Sequence, residues 1–256
     1  MKSLLIVALG IMMLALNLNA YMNVTYLNTT VILNQNSSAH VVEVLNLYIS
    51  NSSIGQYTDD RAAINLTLSD WQAALNTNLL VEHILNPTSS IYKFTFFPGP
   101  IKNIGTSGIA QLELNYYVRN VTTINETGPR IFRYTFNQSV FNFQHTASGQ
   151  ALPQNSQLNI ILPQGAKIIS LYPLPDYPQI SFVGNLTDAT FLSWHSGEPL
   201  AKFSLQFLLR QSLESEVISY FTGLYRWILS SVLEVLFILI LIVLVYVGIN
   251  NYLNKM

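Results

Sequence analysis

Apolar and polar residues alternate strictly in several stretches along the middle of the chain. In AQLELNYYVR, Ala110, Leu112, Leu114, Tyr116 and Val118 share one side, while Gln111, Glu113, Asn115, Tyr117 and Arg119 share the other. In KFSLQFLLR, Phe203, Leu205, Phe207 and Leu209 face in, and Lys202, Ser204, Gln206 and Arg210 mostly face out. Successive side chains of a strand point to opposite faces, so such runs predict half-buried strands. IYKFTFF alternates through Tyr92, Phe94 and Phe96, and RIFRYTF through Phe132, Tyr134 and Phe136. TTVIL, HVVEVLNLYI, SQLNIIL, AKIISLY and TFLSW are further strand candidates. Turn chemistry separates them at Pro98-Gly99-Pro100, Gly128-Pro129, Pro163-Gln164-Gly165 and from Pro173 to Pro178. The predicted fold class is mostly β, an antiparallel β-sandwich.

Two stretches change to helical spacing. In SDWQAALNTNLLVEHI, Trp71, Ala74, Leu75 and Leu79 recur on one face, with Ser69 as N-cap and Gln72 three residues on. This predicts a helix near 69–85 packed on one sheet. SLESEVISYFTGLYRW carries a stripe of Leu213, Val217, Phe221 and Leu224, a capping Ser212, and Glu214 and Glu216 at its start. It predicts a juxtamembrane helix over 212–226, joined to the last strand with no Gly/Ser-rich linker. Between these helices, the polar stretch from Asn142 to Asn155 marks a boundary between a first β unit (21–141) and a second (142–211), or else a long hairpin loop in one unit.

The two ends are apolar without alternation. Lys2, the run from Leu4 to Leu18 and a small Ala20 have the anatomy of a secretory signal peptide over residues 1–20. Leu18 at the −3 position leaves its cleavage open. From Trp227 to Ile249 there is one acid, Glu234, and no basic residue. At about 1.5 Å per residue this length crosses a hydrocarbon core of about 30 Å with some tilt. Val235–Val247 has no polar face, and Trp227 and Tyr246 sit where interfacial aromatics belong. A transmembrane helix over 227–249 and a short cytoplasmic tail over 250–256 place residues 21–226 outside the plasma membrane. Ser230, Ser231 and Glu234 lie close to one helical face, and small residues beside an ionisable one mark a contact with another membrane helix.

Nine N-x-[ST] sequons occur, at Asn23, Asn28, Asn36, Asn51, Asn65, Asn120, Asn125, Asn137 and Asn185, all in the predicted exterior. They are candidate N-glycosylation sites on exposed loops and strand ends. The chain has no cysteine, and 10% of its residues are charged, against about 25% in typical soluble domains. A β region of this length can bury a sufficient core without disulfides. Dense sequons, no cysteine, few charges and abundant Asn, Ser, Thr and Tyr resemble the secreted, single-pass surface glycoproteins of thermoacidophilic archaea. The resemblance lies in composition and architecture and rests on no motif.

Candidate chemistry is sparse. No two of His40, His83, His145 and His195 have the spacing of paired ligands on a helix, so no metal site is predicted. G-x-S-x-G, P-loop and G-x-G-x-x-G motifs are absent, which predicts no catalytic residue and no cofactor. Asp59-Asp60 reads as part of a solvated loop. A net charge of −1 with no basic cluster argues against a nucleic-acid partner. Tyr116-Tyr117, Phe96-Phe97 and the Tyr172–Pro178 loop are candidate contact aromatics, with sandwich core as the plainer reading. The expected function is that of a non-enzymatic type I membrane glycoprotein of the cell envelope, serving adhesion, envelope structure or recognition. Its expected partners are membrane lipid and a protein engaged through the span or the ectodomain. The alternative is an accessory single-pass subunit of a polytopic complex for transport, secretion or surface-filament assembly.

Overall fold

The computed structural model describes residues 22–63, 65–87, 91–147, 149–179 and 189–211, then 217–218, 220–227, 229–230, 234, 236–237, 240–243 and 245. The chain is mostly β. Its strands are β1 (Met22–Leu33), β2 (Ala39–Ile49), β3 (Tyr92–Pro98), β4 (Lys102–Ile104), β5 (Ser107–Val118), β6 (Thr122–Gly128), β7 (Ile131–Phe136), β8 (Gln144–Thr146), β9 (Gly149–Ala151), β10 (Ser156–Ile161), β11 (Lys167–Tyr172), β12 (Phe191–His195) and β13 (Ser204–Arg210). Two short helices, α1 (Ile54–Ala62) and α2 (Leu68–Leu75), follow β2. All nine sequence-predicted strand segments fall on strands of this set.

The large sheet runs β12-β10-β1-β2-β5-β3, with β4 also paired to β5. A second sheet runs β11-β13-β7-β6, and β8 and β9 form a separate hairpin. The pairing is not wholly antiparallel as expected. β1 and β10 run parallel, with Leu27 opposite Ser156 and Val31 opposite Ile160, so the large sheet is mixed. That pair also crosses the boundary expected at 142. The described residues from 22 to 127 and from 132 to 209 form one compact unit, and the polar stretch from 142 to 155 contains the β8–β9 hairpin within it.

Alternation decides what is buried. Leu112, Leu114, Tyr116 and Val118 of β5, with Leu45, Leu47 and Ile49 of β2, are all but fully buried, as are Leu205 and Phe207 of β13. Inward residues of both sheets share one core. Aromatic contacts run through it: Phe207 stacks on Tyr134 at 4.9 Å, and Trp194 meets Phe203 edge-on at 5.3 Å. β3 departs from simple alternation. Lys93 has a φ of 54° and the register with β5 slips between Tyr92 and Thr95, so Tyr92 pairs with Tyr117 while Phe96 pairs with Leu114. Phe97 is left 60% exposed.

The helix expected near 69–85 is shorter and starts earlier. Thr67 is the N-cap of α2, and its hydroxyl accepts from the Asp70 amide at 3.3 Å. The Asp70 carboxylate accepts from the Thr67 amide at 2.8 Å, which with the Thr67 hydroxyl holds its pKa below the usual carboxylate range. This reciprocal pair takes the role assigned to Ser69 and Gln72. The helix ends at Asn76, whose left-handed φ of 45° stops the α ladder. Asp59 and Asp60 lie on α1 and not in a loop.

The second compact unit comprises 128–131 and the described residues from 210 onward. Within it, the Gln211 amide donates to the Arg130 carbonyl, and Arg130 Nη2 donates to the Gln211 carbonyl, both at 2.8 Å. Every described position from 217 to 245 is helical. Among the described residues no helix is long and apolar enough to cross a membrane. The span expected over 227–249 is described at only some of its positions. The leader over 1–20, the Ser212 cap and the tail over 250–256 lie outside the described residues.

Tyr57 of α1 is fully buried, and its hydroxyl donates to the Gly99 carbonyl at 2.8 Å. Gly99 lies so close to β5 that a Cβ there would meet the Gln111 carbonyl oxygen at 2.9 Å. Burial pushes the Tyr57 pKa up to about 12, with Arg61 opposing. An unfolded tyrosine titrates near 10, so the contribution of Tyr57 is complete below about pH 10. As pH rises from about 10 to 12 only the unfolded state loses its proton, and stability falls by about 3 kcal/mol. Chemical denaturation across that range should show this slope, and Tyr57→Phe should lack its share of it.

Candidate functional site: a buried carboxylate beside a cavity

β2 carries Val41, Glu43, Leu45, Leu47 and Ile49 on its inward side, which puts one acid in an otherwise apolar row. Glu43 is fully buried. Stripping a carboxylate of water costs several kcal/mol unless donors replace the water, and three do. The His83 backbone amide donates to Oε1 at 2.8 Å, the Tyr116 hydroxyl donates to the same oxygen, and His83 Nδ1 meets Oε2 at 2.6 Å. Tyr116 is supplied by β5, where it stands diagonally from Glu43 across the pairs Val41–Tyr116 and Glu43–Leu114. Its hydroxyl in turn accepts from the Ile84 amide at 3.2 Å. Burial, then the Glu43 charge, pushes the Tyr116 pKa well above its ordinary value, so its proton stays available to the carboxylate.

His83 is reached because the segment after α2 is held by backbone pairing to the segment before β8. Leu85 donates to the Val140 carbonyl and Asn142 to the His83 carbonyl, each at 2.7 Å. The Asn142 side chain adds a bond to the Glu82 carbonyl at 3.1 Å. The imidazole is 2% exposed and stacks on Phe143 at 4.9 Å. A carboxylate that already accepts two hydrogen bonds is the acceptor for the third, so Nδ1 donates, and in the neutral imidazole the lone pair then lies on Nε2. His83 lines a cavity of about 790 Å³ together with Gln72, Asn78, Asn142, Gln144, His145 and Gln154 among others. The arrangement can accept a proton or a hydrogen bond at Nε2. Among the described residues, no group of three or more His, Cys, Asp or Glu converges to hold a metal ion.

This cluster escaped sequence reading, in which His83 had no ligand-like spacing and Glu43 was one residue of a strand. The usable signal was the acid on the apolar side of HVVEVLNLYI. Two of the other imidazoles go elsewhere: His40 stacks on Tyr117 at 4.5 Å on the outward side of the large sheet, and His195 pairs with Asp176 at 3.1 Å on the surface. Tyr172 and Tyr177 are exposed.

Among the described sequon residues, Asn23, Asn36, Asn51, Asn65, Asn120 and Asn125 are exposed, and Asn28 and Asn137 are half-buried. Asn185 lies outside the described residues. Asn28 Oδ1 accepts from Asn159 Nδ2 at 2.7 Å. In Asn36 and Asn137 the Oδ1 accepts from the hydroxyls of Ser38 and Ser139, at 2.7 and 2.8 Å. None of the eight donates through Nδ2 to another described residue. By contrast Asn34, Asn86, Asn142 and Asn159, which are outside sequons, all do. Ser230 and Glu234 are exposed helical positions one turn apart, and the Ser230 hydroxyl bonds back to the Trp227 carbonyl at 2.8 Å. Ser231 lies outside the described residues.

No protein-family model matches the chain, and no curated protein does. Among solved structures, the folded domain of LppM from Mycobacterium tuberculosis, determined by NMR, matches over 77% of this chain and 95% of that one. The identity is 10% and the TM-score 0.25, a likeness that carries no further argument.

Tyr116→Phe removes one donor from Glu43 and the acceptor of the Ile84 amide, and should cost about 1–3 kcal/mol. Glu43→Ala strands all three donors and should cost about 3–5 kcal/mol. Chemical denaturation of both variants checks this, and losses within experimental error would mean that water reaches the cluster.

Proposed function

We propose that the chain is a non-enzymatic, single-pass membrane glycoprotein of the cell envelope. Its β body would be an ectodomain sandwich serving adhesion, envelope structure or recognition, held at the plasma membrane by the C-terminal helix. The observation that carries this reading is the character of that helix. Leu236, Phe237, Ile240, Leu241, Ile242, Val243 and Val245 are all exposed. Four consecutive residues at 100° steps, Ile240 to Val243, cover the whole circumference, so no face of the helix is polar there. Such a surface is stable in hydrocarbon or against other apolar helices, and unfavourable in water. An exterior location for the β body is supported by the sequons. The nitrogen that a glycan would substitute, Nδ2, is committed to no described partner in any of the eight, whereas several other asparagines use theirs to brace the fold.

Protease added to intact cells should remove most of the chain and spare a fragment that contains the helix. Intact-glycopeptide mass spectrometry on the native protein should find sugar on Asn23 or Asn28. A β body protected in intact cells, or bare sequons throughout, would contradict the reading.

The accessory-subunit alternative is favoured by one observation, the exposed Ser230 and Glu234 one turn apart on an apolar helix. An ionisable side chain in a span ordinarily faces a partner or water. If that face meets another helix, Glu234→Leu should leave insertion intact and reduce crosslinking yield and complex size in the membrane. Unchanged yield and size would leave the free-standing glycoprotein as the better account.

A further inference from the structure

The cavity beside His83 is a built site with one unmet requirement. Glu43 accepts the hydrogen bond from Nδ1, which in the neutral imidazole leaves Nε2 as an acceptor with no partner among the described residues. Nε2 is also not among the fully sealed side-chain polar atoms of the described residues, such as Thr29 Oγ1 and Thr122 Oγ1. Nε2 is therefore not fully sealed, and His83 is one of the residues that line the cavity. A buried acceptor held this firmly calls for a donor, from solvent or from a ligand.

The rest of the lining indicates what kind of donor. Gln72, Asn78, Gln144 and Gln154 present primary amides, each with an acceptor and a two-proton donor, and none is engaged by another described residue. Among the described residues that line the cavity, none is Asp, Glu, Lys or Arg. A lining of amides without carboxylates, lysines or arginines suits a neutral ligand better than a charged one. The volume of about 790 Å³ lies within the range of small-molecule sites and has room for one or two sugar rings.

We propose that this cavity binds a neutral saccharide, with a ligand hydroxyl donating to His83 Nε2 and the surrounding amides pairing with its neighbours. Vicinal hydroxyls are both donors and acceptors, as the amides are. The wall is rigid where it matters, because the His83 carbonyl and the Leu85 amide are tied to the 140–142 segment. The inference is independent of whether the helix enters a membrane.

The test uses the full-length protein in detergent with ¹⁵N-labelled histidine. It is titrated with neutral hexoses, N-acetylhexosamines and their disaccharides, and in parallel with N-acetylglycinamide as a neutral amide probe. The expected result is saturable movement of the His83 ring signals with at least one saccharide and none with the amide probe. Gln144→Ala and Gln154→Ala change exposed residues outside the Glu43 cluster and should keep the fold. Each should weaken saccharide binding by roughly three- to tenfold, the loss of one neutral hydrogen bond, as read by calorimetry. His83→Ala should abolish it. Silence of His83 across the panel, a response to the amide probe alone, or affinity unchanged in both glutamine variants overturns the proposal.

Discussion

A carboxylate sits inside the large sheet with no access to water. Glu43 occupies an inward position of β2, where its strand neighbours on the same side are Val41 and Leu45. Its burial is tolerable only because a tyrosine hydroxyl, a backbone amide and an imidazole are aimed at it. Two of these three donors come from residue 83, far from β2 in sequence. The segment after α2 must therefore cross the sheet at one place. Once there, it exchanges backbone hydrogen bonds with residues 140–142, and the wall of the cavity follows.

The same logic of distant segments meeting in one place governs the sheets. β10 enters beside β1 in parallel, and β12 adds to β10 from the other side. The second half of the chain thereby completes the sheet that the first half began. Trp194 of β12 and Phe203, just before β13, then meet in the core shared with the smaller sheet. The outward side of the large sheet is polar in rows, with Asn28, Gln157 and His195 at one level and Thr30, Asn159 and Ser193 at the next. These rows are why Asn28 can be central in the sheet and still have its side chain on the outside.

Much of the β architecture was legible, because alternation is a local property that burial enforces residue by residue. β5 and β13 bury the sides their sequences announced. What local pattern cannot carry is pairing between remote strands, so the parallel β1–β10 register was not readable, nor was the choice between a boundary and a hairpin at 142–155. The end of α2 turned on one residue, Asn76, whose left-handed conformation overrode the apolar spacing that continued to Leu79. Its start lies at Thr67 and not at the expected Ser69, because Asp70 is placed three residues on to return the capping bond. The slip in β3 at Lys93 is likewise invisible in a sequence whose alternation looks unbroken. For the candidate site, Glu43 was visible as an acid among apolar partners, but its partner His83 was not, since nothing local joins residues 43 and 83.

The proton between Glu43 and His83 decides how the buried carboxylate is satisfied. Long-range ¹H–¹⁵N correlation of the His83 ring in the intact protein near neutral pH reads it directly. The structure requires the neutral imidazole to be protonated at Nδ1, with Nε2 showing the shift of an unprotonated acceptor, and Glu43→Gln should disturb that preference. A ring protonated at Nε2 with a bare Nδ1, or one exchanging freely between tautomers, would contradict the role given to the buried carboxylate.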